Sequence, residues 1–125
     1  MSYTFITWPY SEVETRGWIA GKLREWDWGL VAEDGSRLVG FVGALGSFLD
    51  QISVDPDYHR RGIGTSLLAA ALKKPMPVTK LIVFEENMPA RRLYERHGFR
   101  KVRRFMNFEE GAFELEYVRS SENSN

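Results

Sequence analysis

The chain has 125 residues, 17 of them basic and 17 acidic, so nothing in its total charge argues for nucleic acid or a membrane as its partner. It has no cysteine, which excludes disulfides and thiolate metal sites, and no apolar stretch long enough to span a bilayer. That length suits one domain, and the start Met1-Ser2-Tyr3-Thr4 lacks the basic-then-apolar pattern of a signal peptide, so a soluble cytoplasmic protein is expected.

Residues 3–7 are aromatic and β-branched and read as a short strand broken by Pro9. Ser11 with Glu14 forms a capping-box pattern for a helix running to about residue 25, with Val13, Ile19, Leu23 and Trp26 on its apolar face and Gly17 and Gly21 weakening it. Residues 28–33 and 38–45 read as two strands joined through Asp34-Gly35, a pair that tolerates positive φ. Gly46-Ser47 turns the chain into a third strand at 48–54. Ile63, Leu67, Leu68, Ala71 and Leu72 recur at helical spacing, and Lys73-Lys74-Pro75 ends that helix. Residues 79–84 form an apolar run of the kind a strand buried on both faces requires. A helix separates this run from the third strand, so the two should be parallel neighbours. Asn87 can cap the next helix, Pro89 suits its first turn and Gly98 ends it, while residues 99–108 and 113–119 read as a closing hairpin across Glu109-Glu110-Gly111. Residues 1–119 therefore form one domain, and 120–125 read as a disordered polar tail.

The stretch between the third strand and the second helix carries the chemistry. Gly62 and Gly64 let backbone approach a ligand, and the first N–H groups of the helix have no internal partner. With the positive end of the helix dipole and with Arg60 and Arg61, they form a cradle for phosphate. A dinucleotide fold would put its glycine turn directly after the strand and a third glycine at Leu67, and a Walker loop needs Gly-Lys-Ser/Thr; neither is present. The alternative is that the glycines only let helix and strand pack closely.

The order of elements over residues 28–119 resembles the GNAT superfamily of N-acetyltransferases. Two motifs carry the resemblance: His59-Arg60-Arg61-Gly62-Ile63-Gly64 looks like the family's pyrophosphate motif Gln/Arg-x-x-Gly-x-Gly/Ala, and Asn87-x-x-Ala90-x-x-Leu93-Tyr94-Glu95-x-x-Gly98-Phe99 resembles its second signature. His59 stands where Gln or Arg is usual. The resemblance implies an α+β fold whose mixed, mostly antiparallel sheet has a central parallel strand pair splayed to hold acyl-CoA, here with a shortened N-terminal helical region. It implies acetyl-CoA as co-substrate, no metal, and transfer of acetyl directly to a primary amine in a ternary complex, a small-molecule amine being preferred over a protein amine. Main-chain groups of Ile52, Ser53 and Val54 would hold the pantetheine arm, and Arg60, Arg61, Gly62, Ile63, Gly64 and Thr65 the pyrophosphate. Asn87 resembles the asparagine that helps hold the arm, although a plain helix cap explains it equally. Tyr94 resembles the general acid for the departing thiolate; the alternative is a core tyrosine.

Only the neutral form of an amine attacks a thioester, and a lysine-like amine is neutral about one part in a thousand near pH 7, so a proton acceptor is needed. Asp50 is the candidate: it precedes Ile52 by two, which strand alternation places on the same face. Asp50-Gln51 also resembles the Asp-Gln found at this place in some aminoglycoside acetyltransferases. Asp50 could instead bind the acceptor's ammonium or cap the strand, and Glu85 and Glu86 are weaker candidates. Arg91, Arg92, Arg96, Arg100, Lys101, Arg103 and Arg104 form a basic region that reads as a solvated face, with the CoA 3'-phosphate or an acidic partner as alternatives. Trp8, Trp18, Trp26 and Trp28 could line an acceptor wall or lie in the core. The short N-terminal region leaves room for a homodimer in which a second subunit completes that wall, or for an open site that admits a large substrate. Two competing classes are a cofactor-binding or regulatory module that has lost its chemistry and a nucleic-acid-binding domain using the arginines; the prediction is an enzyme with no nucleic acid and no membrane among its partners.

Overall fold

The computed structural model describes residues 12–22 and 24–120. The expected strand at 3–7, the cap Ser11, Leu23 and residues 121–125 of the tail lie outside them. Helix α1 (Glu12–Lys22) precedes β1 (Trp28–Asp34), β2 (Arg37–Leu45) and β3 (Phe48–Val54). A 3₁₀ turn (Pro56–Tyr58) leads to α2 (Ile63–Leu72), then β4 (Lys80–Phe84), α3 (Met88–Arg96), β5 (Arg100–Asn107) and β6 (Ala112–Val118). The six strands form one sheet in the order β1-β2-β3-β4-β6-β5, antiparallel except for the β3–β4 pair. This is the expected α+β architecture with a mixed sheet. No helix among the described residues is long and apolar enough to cross a membrane.

The turn into β2 has Gly35 at φ +62°, the conformation for which Asp-Gly was read as a hairpin. Helix α1 stops at Lys22, earlier than expected, because the chain turns there and carries Trp26 onto β2. Both crossovers, β3–α2–β4 and β4–α3–β5, lay their helices on one face of the sheet. There Leu67, Leu68 and Ala71 of α2 and Ala90, Leu93 and Tyr94 of α3 meet Val42, Ile52, Val54, Leu81, Val83, Leu115 and Tyr117. The opposite face carries a smaller cluster of Ile19, Trp26, Leu38 and Phe41, where α1 packs on β2.

Strand β4 corrects one expectation. It is not buried on both faces: Leu81 and Val83 are buried, whereas Ile82 and Phe84 on the α1 face are only partly covered. Helix α1 lies over β2 and does not reach that far, so apolar continuity in sequence overstated the burial.

The larger core is the main source of stability. Leu68 is fully buried on α2, so Leu68→Ala should cost about 2–5 kcal/mol in a urea titration. Phe108→Ser, at a residue 89% exposed in the β5–β6 turn, should change stability by less than about 0.5 kcal/mol.

Candidate active site

Strands β3 and β4 pair only at Phe48↔Lys80 and Leu49↔Leu81, after which they part. The cause lies on the other edge of β3. Gly43 pairs with Gln51 and Ala44 with Leu49, so Asp50 is an extra residue, a bulge that bends the strand away from β4. Beyond it the main chain alternates regularly. Asp55 N–H donates to Val39 O on β2 at 2.9 Å, so the N–H and C=O of Val54 and of Ile52 point the other way, into the gap beside β4. His59 Nε2 lies 3.0 Å from Val54 O and closes the far end of that row.

The loop to α2 is held from below. Buried Asp55 accepts the Asp57 N–H at 2.9 Å and the Arg37 guanidinium at 2.8 Å, and the same guanidinium reaches Asp57 at 3.2 Å. Hydrogen bonds to Asp55 and then Asp57 raise the Arg37 pKa above its ordinary value. Tyr58 donates its hydroxyl to Asp34 at 2.7 Å, and this bond raises the phenol's pKa. Guanidinium groups of Arg37 and Arg61 lie 5.0 and 4.7 Å from the centre of the Tyr58 ring, so Tyr58 holds Arg61 as well as the turn. Arg60 at φ +67° and Gly62 at φ +79° both take left-handed backbone. For a non-glycine residue that conformation costs on the order of 1 kcal/mol and is a mark of functional backbone. Gly62 caps α2 without a side chain, and the first internal bond is Ser66 N–H to Gly62 O at 3.0 Å. The N–H groups of Ile63, Gly64 and Thr65 are therefore available to an anion at the positive end of the helix. Arg60, Arg61, Gly62, Ile63, Gly64 and Thr65 thus lie at one end of the β3–β4 gap.

Asp50 requires a correction. Alternation placed it on the face of Ile52, but the bulge resets the count: Ile52 points into the α2 core, whereas Asp50 accepts a 2.8 Å hydrogen bond from Trp26 Nε1 on the α1 face. Gln51 and Ser53, paired with Gly43 and Phe41, share that face. Gln51 Oε1 and Ser53 Oγ are buried and make no hydrogen bond, at a cost of about 1–3 kcal/mol each. Farther along the same face, a cavity of about 390 Å³ is lined by Phe84, Asn107, Glu110 and Glu114. Glu114 is buried and accepts from Asn107 Nδ2 at 3.0 Å.

Tyr94 lies across the sheet from Asp50. It is 2% exposed on α3, in the cluster that contains Ile52 and Val54, with ring contacts to Phe99 and Tyr117. Asn87 caps α3, its Oδ1 accepting the Ala90 N–H at 3.3 Å. Glu85 is paired by both oxygens with Arg104, at 2.8 and 3.1 Å, which lowers its pKa below the ordinary value. The basic region separates into individual contacts: Arg91 donates to Tyr117 Oη and Glu85 O, and Arg103 pairs with Glu116 at 2.9 Å. The tryptophans separate too. Trp18 and Trp26 share the α1 face, Trp28 packs on the α2 face under Lys74, and Trp8 lies outside the described residues.

Sequence reasoning missed Arg37, Asp55 and Tyr58 beneath the cradle, the bond from Trp26 to Asp50, and the cavity. Asp55-Pro56 was a readable signal for a capped turn. The others join residues 18 to 24 positions apart or lie on separate strands, and no local pattern marks them.

Residues 26–101 match the family model described as an acetyltransferase (GNAT) domain. Among curated proteins, the chain is 32% identical over 73 residues to the uncharacterized N-acetyltransferase YafP of Escherichia coli, covering 58% of this chain and 46% of that protein. It is 35% identical over 80 residues to the peptidyl-lysine N-acetyltransferase YiaC of Escherichia coli, covering 63% and 51%. The chain thus spans about half the length of these relatives. A GNAT-family acetyltransferase structure from Bacillus cereus superposes with a TM-score of 0.66 at 24% identity, covering 86% of this chain and 80% of that one, a likeness of fold.

The support beneath the cradle yields a prediction. Arg37→Ala should weaken CoA binding by roughly three- to tenfold in calorimetry, the scale of one charge-assisted hydrogen bond. Unchanged affinity would separate the Arg37 network from the cradle.

Proposed function

We propose a function for this chain from one premise: it belongs to the GNAT acetyltransferase family. The proposed activity is transfer of acetyl from acetyl-CoA directly to a primary amine within a ternary complex. The observation that carries it is the gap after Leu49 and Leu81, which leaves the Ile52 and Val54 main chain without a strand partner and leads into a left-handed, arginine-bearing turn at the start of α2.

The described groups fit an acyl-CoA. An amide-bearing pantetheine arm can bond the Ile52 and Val54 main chain as a missing strand would, with Ser53 between them as part of the same extended segment. The pyrophosphate suits the N–H groups from Gly62 to Thr65 with Arg60 and Arg61 beside them. Asn87, at the end of β4, is the proposed second hold on the arm. A main-chain N–H of β3 would stabilise the oxyanion of the tetrahedral intermediate.

In the reaction, the neutral amine nitrogen attacks the thioester carbon, the C–N bond forms and the C–S bond breaks. The amine proton passes to Asp50 or to water held by it, and Tyr94 protonates the departing thiolate. The two groups work from opposite faces of the sheet, so acceptor and leaving group need not share one entrance. A small cationic amine suits the α1 face better than a protein segment. The open depression beside Phe84 is lined by the carboxyl-bearing Glu110 and Glu114, side chains that suit a cationic amine.

Release of free CoA in the presence of spermidine, an aminoglycoside, free lysine or a lysine peptide tests the activity. Tyr94→Phe should lower kcat by about tenfold or more while acetyl-CoA affinity stays near that of the wild type. Equal turnover would remove Tyr94 from the chemistry. Asp50→Asn should lower kcat/KM for the amine without changing acetyl-CoA affinity, and unaltered amine kinetics would eliminate Asp50.

A further inference from the structure

We propose that Trp26 is a positioning residue for the acceptor, acting through Asp50; the proposal rests on the acetyl-transfer reading above. Trp26 belongs to neither motif and lies 24 residues from its partner. Its Nε1–H donates to Asp50 Oδ2 at 2.8 Å. An indole can only donate, so the bond assigns that oxygen an acceptor's role.

Three contacts fix the direction of that N–H. The indole lies flat on Gly43, where a Cβ would come within 2.1 Å of Cδ2 and Cε3. It stacks on Phe41 with ring centres 6.3 Å apart and planes at 26°, and Trp18 meets it edge-on at 6.1 Å. The ring is 6% exposed, so it has little freedom to swing. Asp50 is the opposite case. As the bulge residue it has no residue directly across from it on β2, so the strand ladder does not orient its side chain. The Trp26 bond is its one polar contact among the described residues.

The consequence is a carboxylate with two distinguishable oxygens. Oδ2 is taken by the indole, and Oδ1 is left for an N–H of the acceptor. A free carboxylate would sample many orientations beside the gap, whereas a held one presents a single acceptor direction, and alignment of reacting groups is where much rate enhancement originates. Gly43 belongs to the same device because only a residue without a side chain lets the indole lie there.

A double-mutant cycle tests this with the panel amine that gives fastest CoA release. Benzothienylalanine at position 26 replaces the N–H by sulfur at nearly constant shape, so it retains the ring stack and removes only the donor. It should lower kcat/KM for the amine by about tenfold, the scale of one hydrogen bond to a charged group, while acetyl-CoA affinity and Tm stay close to wild type. The double variant that adds Asp50→Asn should be no slower than Asp50→Asn alone, since both substitutions break one coupling. Additive losses, or a loss that follows acetyl-CoA affinity or Tm, would make Trp26 a packing residue and overturn the proposal. Trp26→Phe, which also removes part of the buried ring and should lower Tm, must slow the amine reaction at least as much. Absence of transfer to every amine by the wild type would instead sink the acetyl-transfer reading. A slow Asp50→Asn beside an unimpaired Trp26→Phe would sink the positioning role alone.

Discussion

One extra residue in β3 sets the geometry of everything around it. Asp50 has no opposite number on β2, and a strand with a bulge bends and twists more sharply than its neighbours. Parallel pairing with β4 therefore ends after two residue pairs. A fully paired β3 would spend the Ile52 and Val54 main-chain groups on a ladder. Because the strands part, these groups remain in a largely buried segment with directional hydrogen-bonding capacity, which is what an extended amide-bearing ligand requires.

The turn at the end of the gap takes strained backbone and is held in place from below. Arg60 adopts left-handed backbone without being a glycine, and its guanidinium makes no polar contact among the described residues. The compensation comes from the ring of contacts beneath it: Asp55 capping the 3₁₀ turn, Arg37 spanning Asp55 and Asp57, and Tyr58 tied to Asp34. Arg37 begins β2 and Asp34 ends β1, so the first hairpin braces the loop that follows the third strand. Other arginines have different employment. Arg91 ties α3 to β6 and to the residue after β4, Arg104 ties β5 to that same residue, and Arg103 joins β5 to β6, so these three members of the basic run are cross-braces.

The sheet separates two chemical environments. Its α2 face is a continuous apolar core that includes Tyr94. Its α1 face, from Asp50 past Phe84 to Glu114, mixes polar and apolar side chains, with Ser53 and Glu114 buried and Asp50, Ile82 and Phe84 partly covered. The same bulge that parts the strands turns Asp50 onto this second face, where a tryptophan lying on a glycine can reach it. One local irregularity thereby parts β3 from β4 and turns a carboxylate onto the α1 face.

Local chemistry determined much of this protein. The strand boundaries of β3, the Asp34-Gly35 turn, the glycine-opened α2 and the Asn87 cap follow from which residues tolerate positive φ, which side chains cap helices and how apolar positions repeat. The parallel β3–β4 pair followed from the helix between them. Tertiary structure alone decided the rest. Period-two alternation put Asp50 beside Ile52, but register depends on pairing with a distant strand, and one unpaired residue reverses the assignment. An apolar run at 79–84 promised a strand buried on both faces, yet burial depends on what packs above it, and α1 covers β2. That Trp26 rests on Gly43 and reaches Asp50 could not be read along the chain, because shape complementarity between residues on different elements leaves no periodic trace.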